Sequence, residues 1–280
     1  MILTASRLHQ LATQYPLLKD NWHYLTAATL TACNQPDELP VLYHFALKRE
    51  QFIKSNRSFN DDELFKEAVD ITNKFINLNH RGDFKNKIFT EVSNAAGLSK
   101  ENNFKLQLQL TECFREGLLK SIALVGLPKV INSMILLKSV TPEPLRLTTP
   151  NRDFAIESDL DIRKRGEDYW NKIYKGKLAS RISNQLNQAH PDLWGYTLNH
   201  VYAPLLSFSK ILSPKNSSLL IISCLIPQDV NPQLKGHYKG ALNNGCTPEE
   251  INQARDLAIS VSKWSGITWK NEVALLKTKL

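Results

Sequence analysis

A chain of 280 residues with 42% hydrophobic and 22% charged side chains has ordinary globular usage, which excludes extensive disorder and allows one large domain or two of ordinary size. The net charge of +8 comes from lysines and arginines scattered along the chain without a basic run, which argues for a solvated basic surface and against nucleic-acid binding. Cys33, Cys113, Cys224 and Cys246 form no CxxC pair and no metal-ligand spacing, so free thiols in a reducing compartment are expected.

The N-terminal stretch MILTASRLHQLATQYPLLKD lacks the basic, apolar and small-residue blocks of a secretory signal. No apolar stretch approaches the ~20 residues of a membrane span. In DDELFKEAVDITNKFINL, Leu64, Ala68, Ile71, Phe75 and Ile76 share one helical face. FKLQLQLTECFREGLLKSIALVG is longer. Its alternation from Phe104 to Leu110 admits a strand, but the helical period that follows favours a helix. The proline-rich stretch from Val140 to Asn151 is the best boundary between halves.

Arg163, Lys164 and Arg165 read as a solvated cluster among Asp161, Glu167 and Asp168, after which Asp168-Tyr169-Trp170 is expected to start a helix. His80, His190 and His200 show no partner pattern, so no metal site is expected. The apolar run SPKNSSLLIISCLIPQ admits a buried strand. Ser213-Pro214 as a start and Pro227 as a stop favour a buried helix instead, in which Cys224 would be inert.

In NPQLKGHYKGALNNG, Asn231 is the expected cap, Pro232 the first helical residue and Gly245 the left-handed stop, giving a helix to about Asn244. Gly236 and Gly240 bracket His237 on it and invite a close backbone neighbour, since each glycine costs about 1 kcal/mol against alanine. Cys246, just past the stop, is expected to be accessible. Thr247 and Glu250 form a capping box before Ile251, Ala254, Ala258 and Val261, and Trp264 and Trp269 follow near a break. The final Thr278-Lys279-Leu280 differs from the peroxisomal Ser-Lys-Leu address only by threonine for serine.

The segment from Phe114 lies over that from Ala254 as a weak repeat, matching Arg115 to Arg255, Glu116 to Asp256, Gly126 to Gly266 and Leu136 to Leu276. Each copy reads as a helix, a glycine break and a second helix, the mark of a duplicated all-α unit.

LKGHYKGALNNGCTPEEINQARDLAI resembles the carboxymuconolactone decarboxylase family, which includes the AhpD-like alkyl hydroperoxidases. The likeness runs back through RGEDYWNKIY and LLSFSKILSPKNSSLLIISCLI and covers most of Gly166 to Leu280. It implies an all-α, AhpD-like bundle of two tandem helical units that forms homo-oligomers. Residues 1–140 would be a degenerate N-terminal unit, 141–151 a proline-rich connection and 152–280 the better preserved unit. Fungal two-unit members include peroxisomal ones, which favours a peroxisomal matrix address, read by the import receptor, over the cytoplasm.

The resemblance also fixes what chemistry is missing. AhpD-like peroxidases use a low-pKa thiolate, a resolving thiol, a glutamate and a histidine. Counted from His237, the two cysteine positions are Val230 and Gln233 and the glutamate position is Ser218, so dithiol peroxidase activity is not expected. The decarboxylase branch lacks the dithiol too. A non-redox reaction would leave His237 as proton carrier, with Gln233 and Asn244 on its helix face and Trp264 as a pocket wall, no cofactor, and a small carboxylated or acyl metabolite as ligand. The alternative is a pseudoenzyme serving as an oligomeric structural or partner-binding protein, with His237 hydrogen-bonded in a helix interface.

Overall fold

The structure, a computed structural model, describes residues 1–81, 101–152 and 157–276, the side chains of 79–81 and 101–102 excepted. All regular elements among them are helical. The terminal tripeptide and the side chain of His80 lie outside the described residues.

In the N-terminal half the helices are α1 (Ala5–Thr13), α2 (Trp22–Ala32), α3 (Leu39–Lys54), α4 (Asp61–Arg81), α5 (Glu101–Val125) and α6 (Leu127–Val140). The C-terminal half has α7 (Asp159–Tyr174), α8 (Lys177–Ala189), α9 (Leu193–Tyr196), α10 (Pro214–Leu225), α11 (Asn231–Asn243) and α12 (Pro248–Trp264). The short α9 continues as a π-helical segment, Thr197–Leu206.

Two helices that are apolar all round occupy the centre, as such helices must. Every residue of α2 is buried, and so is α10 from Ser217 to Leu225, so the ambiguous apolar run is a helix. They pack on one another, with α5 and α12 alongside. One continuous core therefore draws on both halves, from Leu3 to Val273. Five hydroxyls inside it are satisfied locally: Thr26, Thr29, Thr31, Ser121 and Ser223 each donate to the carbonyl four residues back.

Sequence punctuation locates several ends. Ser213 caps α10 on Asn216 N at 3.1 Å. Thr247 and Glu250 exchange both capping-box bonds, at 3.1 and 2.9 Å, to start α12. Gly245 stops α11 at φ +92°. Phe104 to Leu110 belongs to α5, not to a strand.

Four local expectations fail. Asn231 caps nothing: its side chain accepts from Ala274 N at 2.9 Å and donates to Glu272 O at 3.1 Å, clasping the extended segment after α12. Asp168-Tyr169-Trp170 sits inside α7, which Ser158 begins by capping Asp161 N. Gly126 and Gly266 both take positive φ, yet a helix follows only Gly126; residues 267–276 are not helical, so the second copy of the repeat lacks its second helix. Gly240 faces a side chain rather than a backbone, since a Cβ there would lie 2.6 Å from Ile173 Cγ2, and Gly236 faces open space. The close backbone approach is elsewhere: a Cβ on Gly166 of α7 would fall 2.5 Å from Ala203 Cα in the π-helical segment.

Candidate functional site

The helix α11 lies between α10 and α7, with Leu234, Tyr238 and Ala241 buried and Gln233, Lys235 and Lys239 exposed. His237 is half-buried on its flank toward α7 and meets Tyr174 edge-on, ring centroids 6.3 Å apart at 63°. Tyr174 shares a hydroxyl hydrogen bond of 3.2 Å with Tyr202, whose ring lies 4.7 Å from Trp170 and 6.3 Å from Tyr169. Below them Asn244 Nδ2 donates to Ser218 Oγ at 2.9 Å, and Ser218 donates to Pro214 O. The buried Tyr169 phenol lies beside both Ser218 and Asn244, and burial raises its pKa although both neighbours oppose the shift.

Two predicted residues, Ser218 and Asn244, are thus directly joined, and a wall of tyrosines leads from them to His237. The other candidates point elsewhere. Gln233 is exposed and Val230 half-buried, while Trp264 lies beneath the Arg7 guanidinium, 4.9 Å from its ring centre. Tyr238 donates to Ala274 O at 2.7 Å and Asn243 to Ile173 O at 2.8 Å, so both hold structure together.

The chemistry available to His237 is narrow. It makes no hydrogen bond among the described residues, and burial pushes its pKa down to about 4, so the ring is neutral at neutral pH. A proton carrier works best with a pKa near the working pH, and here no carboxylate partner raises it. Three cavities, of about 600, 590 and 180 Å³, have no α11 residue in their walls.

The thiols are less reactive still. Cys246 is buried, against expectation, because the turn after Gly245 folds it back onto Lys215 O, 3.5 Å from its sulfur. Burial raises all four thiols, Cys113 to about 11 and both Cys224 and Cys246 to about 12. All four are free. No group of three or more potential metal ligands occurs among the described residues.

Charged and titratable groups that sequence reading passes over are buried nearby. Lys120, fully buried on α5, donates to Leu206 O at 2.9 Å, Phe208 O at 2.7 Å and Ser217 Oγ at 3.0 Å. Glu116, one turn earlier, lies 3.9 Å from Lys120 and receives both Arg152 Nη1 and Nη2, at 3.0 and 2.6 Å. Burial pulls Lys120 down to about 7 even with Glu116 opposing it. The one available signal was the i, i+4 acid and base in an otherwise apolar-periodic run. His23 and His44 are also buried, and no motif marked them.

The chain resembles known proteins at two scales. Residues 194–275 match the carboxymuconolactone decarboxylase family. Over nearly its whole length it is 38% identical to Peroxisomal protein 2 of Saccharomyces cerevisiae, covering 98% of this chain and 99% of that one. It is 39% identical to Peroxisomal protein 2 of Schizosaccharomyces pombe over 65% of this chain and 83% of the relative. No solved structure matches the chain. The all-helical fold, the matched segment that holds His237, and end-to-end identity of this level agree. The chain belongs to the carboxymuconolactone decarboxylase family as one of its fungal peroxisomal members.

Proposed function

We propose that this protein is a thiol-independent member of the family that binds, or acts without redox chemistry on, a small carboxylated or acyl metabolite in the peroxisomal matrix. One observation carries the reading: His237 keeps its place while Ser218, Val230 and Gln233 occupy the positions of its redox partners and every cysteine is held protonated by burial. A thiol raised to 11 or 12 is almost wholly protonated at neutral pH and cannot open a peroxide at a useful rate. The Ser218, Asn244 and Tyr169 cluster keeps polar groups close behind α11, which supports a polar, non-redox role for this region.

Peroxide consumption with a dithiol reductant stays at the buffer background; turnover that alkylation of cysteines abolishes refutes the reading. A screen of carboxylated and acyl metabolites by thermal shift then tests the binding half, with His237→Gln alongside.

The second reading, an inactive oligomeric scaffold, is favoured by α6, where Leu127, Ile131 and Ile135 follow one another at helical spacing and are all exposed. It gains if no metabolite shifts the melting temperature and light scattering finds an oligomer that Ile135→Glu dissociates.

Thr278-Lys279-Leu280 supplies the import address. A fluorescent fusion lacking these three residues is expected to remain in the cytosol, whereas unchanged peroxisomal import would remove the tripeptide from the account.

A further inference from the structure

Charge that is scattered along the sequence is gathered at one turn of the fold. Lys175-Gly176 joins α7 to α8, and around it stand Lys172 and Lys175 from one side and Lys177 and Arg181 from the other. All four are exposed. None makes an ion pair or a side-chain hydrogen bond among the described residues, and no Asp or Glu occurs in the sequence between Asp168 and Asp192. Those two flanking carboxylates have other neighbours: Asp168 lies 3.6 Å from Lys164, and Asp192 lies 3.9 Å from His190.

Helix stability accounts for half of the cluster. Lys172 and Lys175, at the end of α7, suit that helix's dipole, whereas Lys177 and Arg181, near the start of α8, oppose theirs, and no carboxylate stands in that first turn. Apolar groups adjoin the cations. The Trp170 indole donates to Ala179 O on α8 at 3.4 Å and its ring lies 4.6 Å from that of Trp194, which ties α9 to the first turns of α8. There α9 presents Leu193 and Tyr196, 39% and 65% exposed. Unpaired lysines and an arginine beside an exposed leucine and tyrosine have the composition of a surface that rests on lipid headgroups: the cations meet anionic lipid and the amphipathic ring enters the interface.

We propose that the turn between α7 and α8, together with α9, docks this protein peripherally and reversibly on the surface of an anionic lipid bilayer. No helix among the described residues is long and apolar enough to cross a membrane. The contact is made instead by charge at the headgroups and by Leu193 and Tyr196 at the interface. A soluble polyanion would pair the cations equally well but would leave those two side chains in water. The proposal goes beyond the metabolite reading and does not depend on it, since it uses none of Ser218, Asn244 and His237.

The test is flotation of the full-length protein with vesicles of phosphatidylcholine, alone or with about a third phosphatidylserine, at low and high salt. The protein floats with the anionic vesicles, stays behind with the neutral ones, and is released by about 0.5 M salt. Lys175→Gln with Lys177→Gln, at exposed positions where folding is not in question, weakens binding by about tenfold or more. Lys66→Gln with Lys74→Gln on α4, also exposed and equal in net charge, weakens it by less than about twofold. Tyr196→Ser weakens it by about threefold or more.

Absence of binding to the anionic vesicles, or equal binding to the neutral ones, overturns the proposal. So does an equal loss in the α4 variant, which makes net charge rather than this turn the cause. Polyglutamate or an oligonucleotide that competes with the vesicles at the turn, with no effect of Tyr196→Ser on vesicle binding, overturns the bilayer assignment in favour of a soluble polyanion.

Discussion

Glu116→Gln lowers the melting temperature by roughly 10 °C, the consequence of losing about 3–5 kcal/mol when one member of a buried ionic network is neutralised. Glu116 and Lys120 are 2% and 0% exposed and Arg152 is 8% exposed, so water cannot take over the lost charge. Two cations would face one neutral amide. The network also closes a helix end. Arg152 donates to Pro204 O at 3.0 Å and Lys120 to Leu206 O and Phe208 O, at the C-terminus of the π-helical segment, where carbonyls lack intrahelical partners and cations are favoured.

This geometry separates the network from buried ion clusters that apolar residues can replace at no loss. The triple substitution Glu116→Leu, Lys120→Met, Arg152→Met removes the unpaired charge but strands those carbonyls and Ser217, so it recovers only part of the deficit. The deficit of Glu116→Gln is also pH-dependent. Glu116 holds the Lys120 pKa up, so its loss depresses Lys120 below about 7, whereas the unfolded chain keeps the ordinary 10.5. Both proteins gain stability as pH rises from about 7 toward 10.5, so the deficit is constant there and widens only below about 7, where the intact network still holds the Lys120 proton that the variant has lost. Calorimetry of both proteins at pH 9, 7 and 6 measures both effects. A fall of less than about 2 °C at pH 7 would show that the network is not energetically coupled to folding.

The same contrast explains what could be read from the chain. Caps and stops act on their immediate neighbours, so Ser213, Thr247, Glu250 and Gly245 announced their helix ends correctly. The apolar run of α10 was legible as buried because no face of it is polar. Asn231 misled because a side chain able to cap its own helix was taken by Ala274 N and Glu272 O, a tertiary contact across 43 and 41 residues. Cys246 misled for a similar reason: position after a helix stop suggests exposure, but the fold-back onto Lys215 O buries it.

The site was half legible. Spacing from His237 named Ser218 as the lost glutamate position and Asn244 as a residue of its helix face, and the two share a hydrogen bond. It did not find Tyr169, Tyr174 and Tyr202, which stand between that pair and His237, because they come from two other helical segments and carry no motif. The 600 Å³ cavity was invisible for the same reason. Its cations are spread over residues 115 to 152, and scattered charge in a sequence reads as solvated surface until the fold gathers it.

The largest pH effect comes from the histidines that no motif marked, His23 and His44, together with His237. His23 packs against Phe114 at 5.2 Å and neither ring nitrogen has a partner; His44 stacks on Phe75 at 5.4 Å and 16°. Burial pushes both to about 3, and His237 to about 4, from the ordinary 6.5. The neutral forms fold and the charged forms do not. The stability these histidines contribute is therefore complete above about 6.5, where the unfolded chain's imidazoles are also neutral, and falls as the pH drops toward 4 while only the unfolded chain takes up protons. Three protons at about 1.4 kcal/mol each give a steepest slope of about 4 kcal/mol per pH unit, enough within two units to consume the 5–15 kcal/mol of an ordinary domain. Acid unfolding followed by circular dichroism should have its midpoint between pH 6.5 and 4, above the range in which most carboxylates titrate. His23→Phe with His44→Phe keeps two aromatic rings in place and removes two of the three protons. The slope of stability against pH should then fall to about a third, and an unchanged acid limb would remove these histidines as its cause.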